Sequence, residues 1–229
     1  MVELPELIEM KRLLVLASAL AVAAPLAAAS VGGKVNFIMK RGQNPVVNET
    51  LVWLEPASGR AAPKPPAKFQ MTTRGKTLVP HVLAVPVGST VEFPNDDPIS
   101  HNLFSLSSAS TFDLGLYRKG AGKSQKFTAP GVVNVYCNVH PTMSAVIHVM
   151  PTPYYVFADP AGNYAIHDVP AGKYKLVAWN EQGGQTSTTI DIGAAGAANV
   201  ALTLDSSNYR AGSHMNKVGK PYVAPPRDY

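Results

Sequence analysis

From residue 31 onward, apolar and polar positions alternate in short runs, as in Gly131-Val132-Val133-Asn134-Val135-Tyr136-Cys137. Valine, threonine, tyrosine and phenylalanine fill these runs, and glycine, proline, asparagine and aspartate separate them. A period of two with such boundaries predicts β-strands. The predicted strands are 34–39, 50–54, 81–86, 90–93, 126–128, 132–137, 145–150, 163–166, 173–179, 186–192 and 199–204. No stretch after Ser30 keeps a helical period. Many short strands at this spacing predict an all-β protein built from sandwiches or barrels.

Three segments fall outside that pattern. Residues 56–68 are rich in alanine, proline and lysine, which predicts an exposed, extended linker. The tail, 205–229, is polar, carries Pro221, Pro225 and Pro226, and shows no apolar period, so it is expected to be poorly ordered or draped on the surface. At the other end, Lys11-Arg12 precede an apolar run from Leu13 to Ala24, and the small residues Ala27-Ala28-Ala29-Ser30 follow. That order predicts a secretory signal over residues 1–29, with Met10 as an alternative start. The run is too short and alanine-rich for a membrane span, and no cysteine follows it to carry a lipid. The expectation is an exported, periplasmic protein of about 200 residues without stable membrane insertion, enough for one large or two small domains.

Charge narrows the partners. Loss of residues 1–29 removes three glutamates, one lysine and one arginine, taking the net charge from +5 to +6. Charged residues make up only 15% of the chain and no lysine or arginine run exceeds two, which argues against nucleic-acid binding. A basic protein of this kind suits a protein partner with an acidic docking face.

The single cysteine carries the chemistry. One cysteine cannot close an internal disulfide, and a free thiol in an oxidising compartment is open to oxidation. In isolation Cys137 reads as a small buried hydrophobe. Its context changes that: Cys137-Asn138-Val139-His140-Pro141-Thr142-Met143 places a histidine and a methionine at Cys-x₂-His-x₂-Met. With an upstream histidine these donors make the His₂Cys set of a blue-copper site with a weak axial thioether. His101 supplies that histidine, in the turn-rich stretch that follows Glu92-Phe93-Pro94-Asn95. The metal ligands predicted are therefore His101, Cys137, His140 and Met143, holding one type 1 copper ion, with Met150 in reserve for the axial place. His81, His148, His167 and His214 lack ligand spacing and are expected in surface or packed roles.

The segment from about Phe69 to Met150 resembles a cupredoxin, through Val87-Gly88-Ser89-Thr90-Val91-Glu92-Phe93-Pro94-Asn95, His101-Asn102, and Gly131 to Cys137 with its ligand loop. The two-residue gaps on either side of His140, and Pro141 after it, are similar to amicyanin. A second resemblance, over Asp159-Pro160-Ala161-Gly162-Asn163-Tyr164 and Val169-Pro170-Ala171-Gly172-Lys173-Tyr174, is to the carboxypeptidase regulatory-like, or transthyretin-like, β-sandwich. The opening of such a domain is present at Gly33-Lys34-Val35 and Pro45-Val46. These resemblances imply an all-β chain made of a Greek-key cupredoxin, 66–150, inserted into a small sandwich formed by 31–60 and 152–204. The alternative assigns 31–60 to the cupredoxin as extra strands. Chains joining the two modules resemble methylamine-utilisation-like proteins, which implies a periplasmic copper carrier near a dehydrogenase.

The cupredoxin resemblance also implies that the Asn102 side chain bridges the two ligand loops, and that Tyr136, on the strand face opposite Cys137, offers a second electron route. The plain alternatives are a turn asparagine and a packing tyrosine. For function, an electron carrier that is not an enzyme leads. A copper oxidase or reductase domain would need His-x-His pairs, and the sequence has none. A copper-handling or structural β-sandwich protein is the third possibility.

Overall fold

The computed structural model describes residues 29–222. Among the described residues there are seventeen strands, and a single 3₁₀ turn at Val47–Glu49 interrupts them. Strands β1 (Ala29–Ile38) and β2 (Leu51–Pro56) come first. Ten follow an irregular, mostly exposed stretch over 57–67: β3 (Lys68–Gln70), β4 (Thr72–Arg74), β5 (Thr77–Val79), β6 (Val82–Pro86), β7 (Thr90–Asn95), β8 (Leu103–Ser107), β9 (Ser110–Asp113), β10 (Gly120–Lys126), β11 (Gly131–Cys137) and β12 (Ser144–Met150). The last five are β13 (Tyr155–Phe157), β14 (Asn163–Val169), β15 (Gly172–Asn180), β16 (Gly184–Ile192) and β17 (Ala197–Asp205).

They form four sheets, ordered β14-β1-β17, β13-β2-β15-β16, β6-β12-β11-β8-β9 and β10-β7-β4-β5, with β3 also on β7. The first two sheets draw on both ends of the described chain, whereas the last two use only β3 to β12. Three apolar layers separate the four sheets. Val31, Val35, Leu202 and Leu204 of the first sheet face Val52, Leu54, Leu176 and Ala178 of the second. Leu51, Trp53 and Val177, on the other face of that second sheet, meet Ala84 of β6 and Met150 of β12. Val133, Val135 and Ile147 then pack against Val91 and Phe93 of β7.

This stacking explains two runs that do not alternate. Leu51-Val52-Trp53-Leu54 is buried throughout because successive side chains point into different layers. Strand β12 is covered on both faces in the same way, and therefore reads as a continuous apolar run. Gly33 meets a tighter demand: β1 runs so close to β17 that a Cβ there would stand 1.8 Å from the Val200 carbonyl oxygen. A side chain at Gly33 would force the parallel pair apart.

The chain is all-β, as the sequence pattern implies, but several strands escape that pattern. The 126–128 segment is predicted as a strand, yet the strand is β10, Gly120–Lys126, a glycine-bearing, mostly exposed edge with no apolar alternation. Strands β3, β4, β5 and β13 have three residues each, too few for a period to register. The hairpin β8–β9 is likewise missing from the predicted set. Residues 1–28, most of the expected secretory signal, lie outside the described residues; Ala29, the last of that segment, opens β1 opposite Val169. Among the described residues no helix is long and apolar enough to cross a membrane.

Candidate metal centre

Strand β11 alternates cleanly, with Val133, Val135 and Cys137 turned into the core and Val132, Asn134 and Tyr136 turned away. Cys137 is the last residue of the strand and is fully buried. The chain then reverses through 138–143 into β12, closed by Cys137 N–H to the Met143 carbonyl and Met143 N–H to the His140 carbonyl, each at 3.1 Å. This tight loop brings His140 back over the cysteine, with Nδ1 3.6 Å from Sγ.

His101 arrives from the other side. It precedes β8 and is fixed by a pair of backbone hydrogen bonds with Tyr117, at 3.1 and 2.9 Å. Its ring is buried, and Nδ1 also lies 3.6 Å from Cys137 Sγ. The two imidazole centroids are 4.9 Å apart. His101, Cys137 and His140 thus offer three ligand atoms within 4.8 Å of one another. Two donors each about 2.1 Å from a common ion at trigonal or tetrahedral angles are separated by about 3.6 Å, so the spacing suits one bound ion. Met143 is buried and packs in the same core as Cys137.

Asp97 orients His101. Its Oδ2 accepts a hydrogen bond from His101 Nε2 at 2.9 Å, so that nitrogen carries the proton and Nδ1 is left with its lone pair toward the cysteine. Burial pushes the Asp97 carboxyl up, but N–H donors from Lys76 and Gly75, at 2.9 and 2.6 Å, and the His101 contact together hold it below the usual range. The carboxylate is therefore ionised beside a ring whose opposite edge faces the site. For His140, burial disfavours the protonated ring, and His101 and Lys76 add to that, with Asp97 opposing; its pKa is lowered and the neutral, ligating form is favoured.

Two expectations change here. Asn102 does join the ligand loops, but through its backbone: its carbonyl accepts Asn138 N–H at 2.8 Å, while the side chain donates to Asp113 at 2.5 Å. The side-chain bridge is thus replaced, because Asp113 on the neighbouring strand β9 offers a charged acceptor. Met150 packs at the joint with Trp53 and Val177, in a different core layer from Cys137 and Met143. Tyr136 lies on the outer face, 5.8 Å from the Phe104 ring.

The remaining histidines divide. His81 Nε2 is 2.5 Å from Glu181, His167 contacts Ser30, and His148 is buried between Trp53 and Trp179 with no hydrogen-bond partner for Nε2. His214 belongs to the tail, and its ring stacks on Tyr136 with centroids 4.5 Å apart. Residues 214–222 lie along the ligand loop under several hydrogen bonds; 223–229 are outside the described residues.

A thiol and two imidazoles lie within reach of one ion, and Met143 packs in the same core as the thiol. Sulfur and imidazole suit copper or zinc.

No protein-family model matches the chain, and no curated protein does. Among solved structures, a reduced Cu(I) amicyanin variant is 22% identical and covers 36% of this chain and 82% of that one, with a TM-score of 0.34. A purple cupredoxin from Nitrosopumilus maritimus is 26% identical over 36% of this chain and 99% of that one, at 0.31. Another reduced amicyanin variant is 20% identical over 42% of this chain and 98% of that one, at 0.35.

Proposed function

We propose that this chain is a type 1 copper protein that carries single electrons, with His101, Cys137 and His140 as equatorial ligands and Met143 as the axial one. The observation that supports it is the buried Cys137 sulfur, 3.6 Å from one nitrogen of each histidine, in the same core as Met143. When bound, copper supplies a one-electron couple. The chain's own residues do the rest. Asp97 fixes the His101 ring, the β11 and β12 framework fixes Cys137 and Met143, and the cores on both sides limit rearrangement when the charge of the site changes.

Four protein donors leave no evident place for a substrate, which favours a carrier over an enzyme. Burial of Cys137 and His101 also disfavours a chaperone that hands copper on, because such transfer needs ligands a partner can reach. His140 differs from them: it is partly exposed and flanked by Val139, which is 45% exposed. That edge is the proposed route for electrons, and a basic chain draws an acidic partner toward it by attraction that salt screens. In this proposal β3 to β12 form a cupredoxin module inserted into a regulatory-like sandwich made of β1, β2 and β13 to β17. The work takes place in the periplasm.

Metal competition tests the proposal. Full-length protein offered copper and zinc together should retain one copper per chain. Retention of zinc in preference to copper would refute it.

A further inference from the structure

The tail makes four polar contacts with the ligand loop. Tyr222 O–H donates to the Cys137 carbonyl at 2.8 Å, and Lys217 N–H donates to Asn138 Oδ1 at 3.0 Å. His214 N–H donates to the Pro141 carbonyl at 3.1 Å, and its Nε2 lies 3.2 Å from the His140 carbonyl. These four contacts fall on residues 137–141, the stretch that carries Cys137 and His140.

A second connection reaches the other ligand segment. Lys217 Nζ donates to Asp113 Oδ2 at 2.7 Å, and Asp113 Oδ1 accepts from the side chain of Asn102, the residue after His101. The Lys217 contact and burial pull the Asp113 carboxyl in opposite directions, and the hydrogen bonds win, taking it down to about 2. One lysine therefore ties the loop of Cys137 and His140 to the segment of His101.

The stacking of His214 on Tyr136 is joined by no aliphatic packing. Met215 is 59% exposed and Val218 70% exposed, so the tail turns apolar side chains to solvent while its polar groups meet the loop. The loop in turn presents the Cys137 and Pro141 carbonyls, which its two internal backbone hydrogen bonds leave open.

We infer that residues 214–222 act as a clasp that positions the metal-ligand loop, with His214, Lys217 and Tyr222 as positioning residues. The inference rests on the copper reading of the site. Without the clasp, His140 would swing away more often on its short loop, and a bound ion would be lost through that opening. Each hydrogen bond removed should raise the open population about two- to twelvefold.

The test uses the full chain and the variants Tyr222→Phe, Lys217→Met and the pair together. In metal-free protein, hydrogen–deuterium exchange at the Cys137 and Met143 amides should speed up about tenfold or more in the double variant, with the Leu176 amide in β15 unchanged. In Cu(II)-loaded protein, transfer of copper to a chelator should accelerate by a similar factor. Exchange at Cys137 and Met143 within twofold of wild type overturns the clasp, and so does faster exchange with unchanged copper transfer. Wild-type protein that takes up no copper refutes the site reading separately, and the exchange arm alone then decides whether the tail holds the loop.

Discussion

His101 Nε2 donates to Asp97 Oδ2 at 2.9 Å, on the ring edge opposite the one that faces Cys137. A carboxylate in that place fixes the tautomer, aims the ring and adds negative charge behind it. Asp97→Asn keeps the shape but loses the charge, and leaves one of the Gly75 and Lys76 amides poorly paired. Copper(II) affinity should fall about 10- to 100-fold, and the reduction potential should rise because the lost charge stabilised Cu(II) more than Cu(I). Competitive titration and voltammetry measure both; unchanged values in both would remove Asp97 from the site.

The two buried methionines that flank β12, Met143 and Met150, should behave differently. Met143→Leu should keep the colour of the oxidised protein but raise its potential, since loss of a weak axial donor disfavours Cu(II). A tenfold loss of Cu(II) over Cu(I) preference corresponds to about 59 mV for a one-electron couple, and a shift of at least that size is expected. Met150→Leu, in the Trp53 layer, should leave the potential unchanged. The reverse pattern would reassign the axial ligand.

These sites differ in how far the sequence exposes them. The alternation of Val133, Val135 and Cys137 is enough to turn the sulfur inward, and the Cys-x₂-His-x₂-Met spacing puts its neighbours on one short loop. Asp97 stayed hidden because its role depends on amides of Gly75 and Lys76, more than twenty residues upstream, joined to it only by sheet pairing. The docking of the tail was equally silent, since its partners include backbone carbonyls of Cys137, His140 and Pro141, which leave no mark on residue choice. His148 reads as a surface or packed histidine within β12, and only the packing of the second sheet against that strand decides that it is buried.

That burial gives stability a pH dependence. Desolvation between Trp53 and Trp179 drives the His148 pKa down to about 4 from 6.5. The unfolded chain takes up this proton first as pH falls, so the contribution is complete above about 6.5, declines between 6.5 and 4, and is gone below. Its size is about 3 kcal/mol. His148→Gln should flatten the denaturation free energy across that window relative to wild type. Parallel curves from pH 7 to 4 would show that His148 can be protonated in place.

The exposed Val139 tests the exit route. Val139→Glu puts a negative charge beside the His140 edge without touching a ligand, so the optical spectrum should stay nearly intact. Electron exchange with an acidic redox partner should slow several-fold, and salt should relieve the difference. If exchange were unaffected, while substitution of Tyr136 slowed it, the partner would be docking on the outer face of β11.

The visible absorption spectrum of the full-length protein with one equivalent of Cu(II) tests the copper site most directly. A thiolate bound to Cu(II) between two imidazoles should produce an intense blue or green band that titrates to one copper per chain and disappears in Cys137→Ser. A colourless copper complex, or a colour that survives that substitution, would contradict a type 1 centre at His101, Cys137, His140 and Met143.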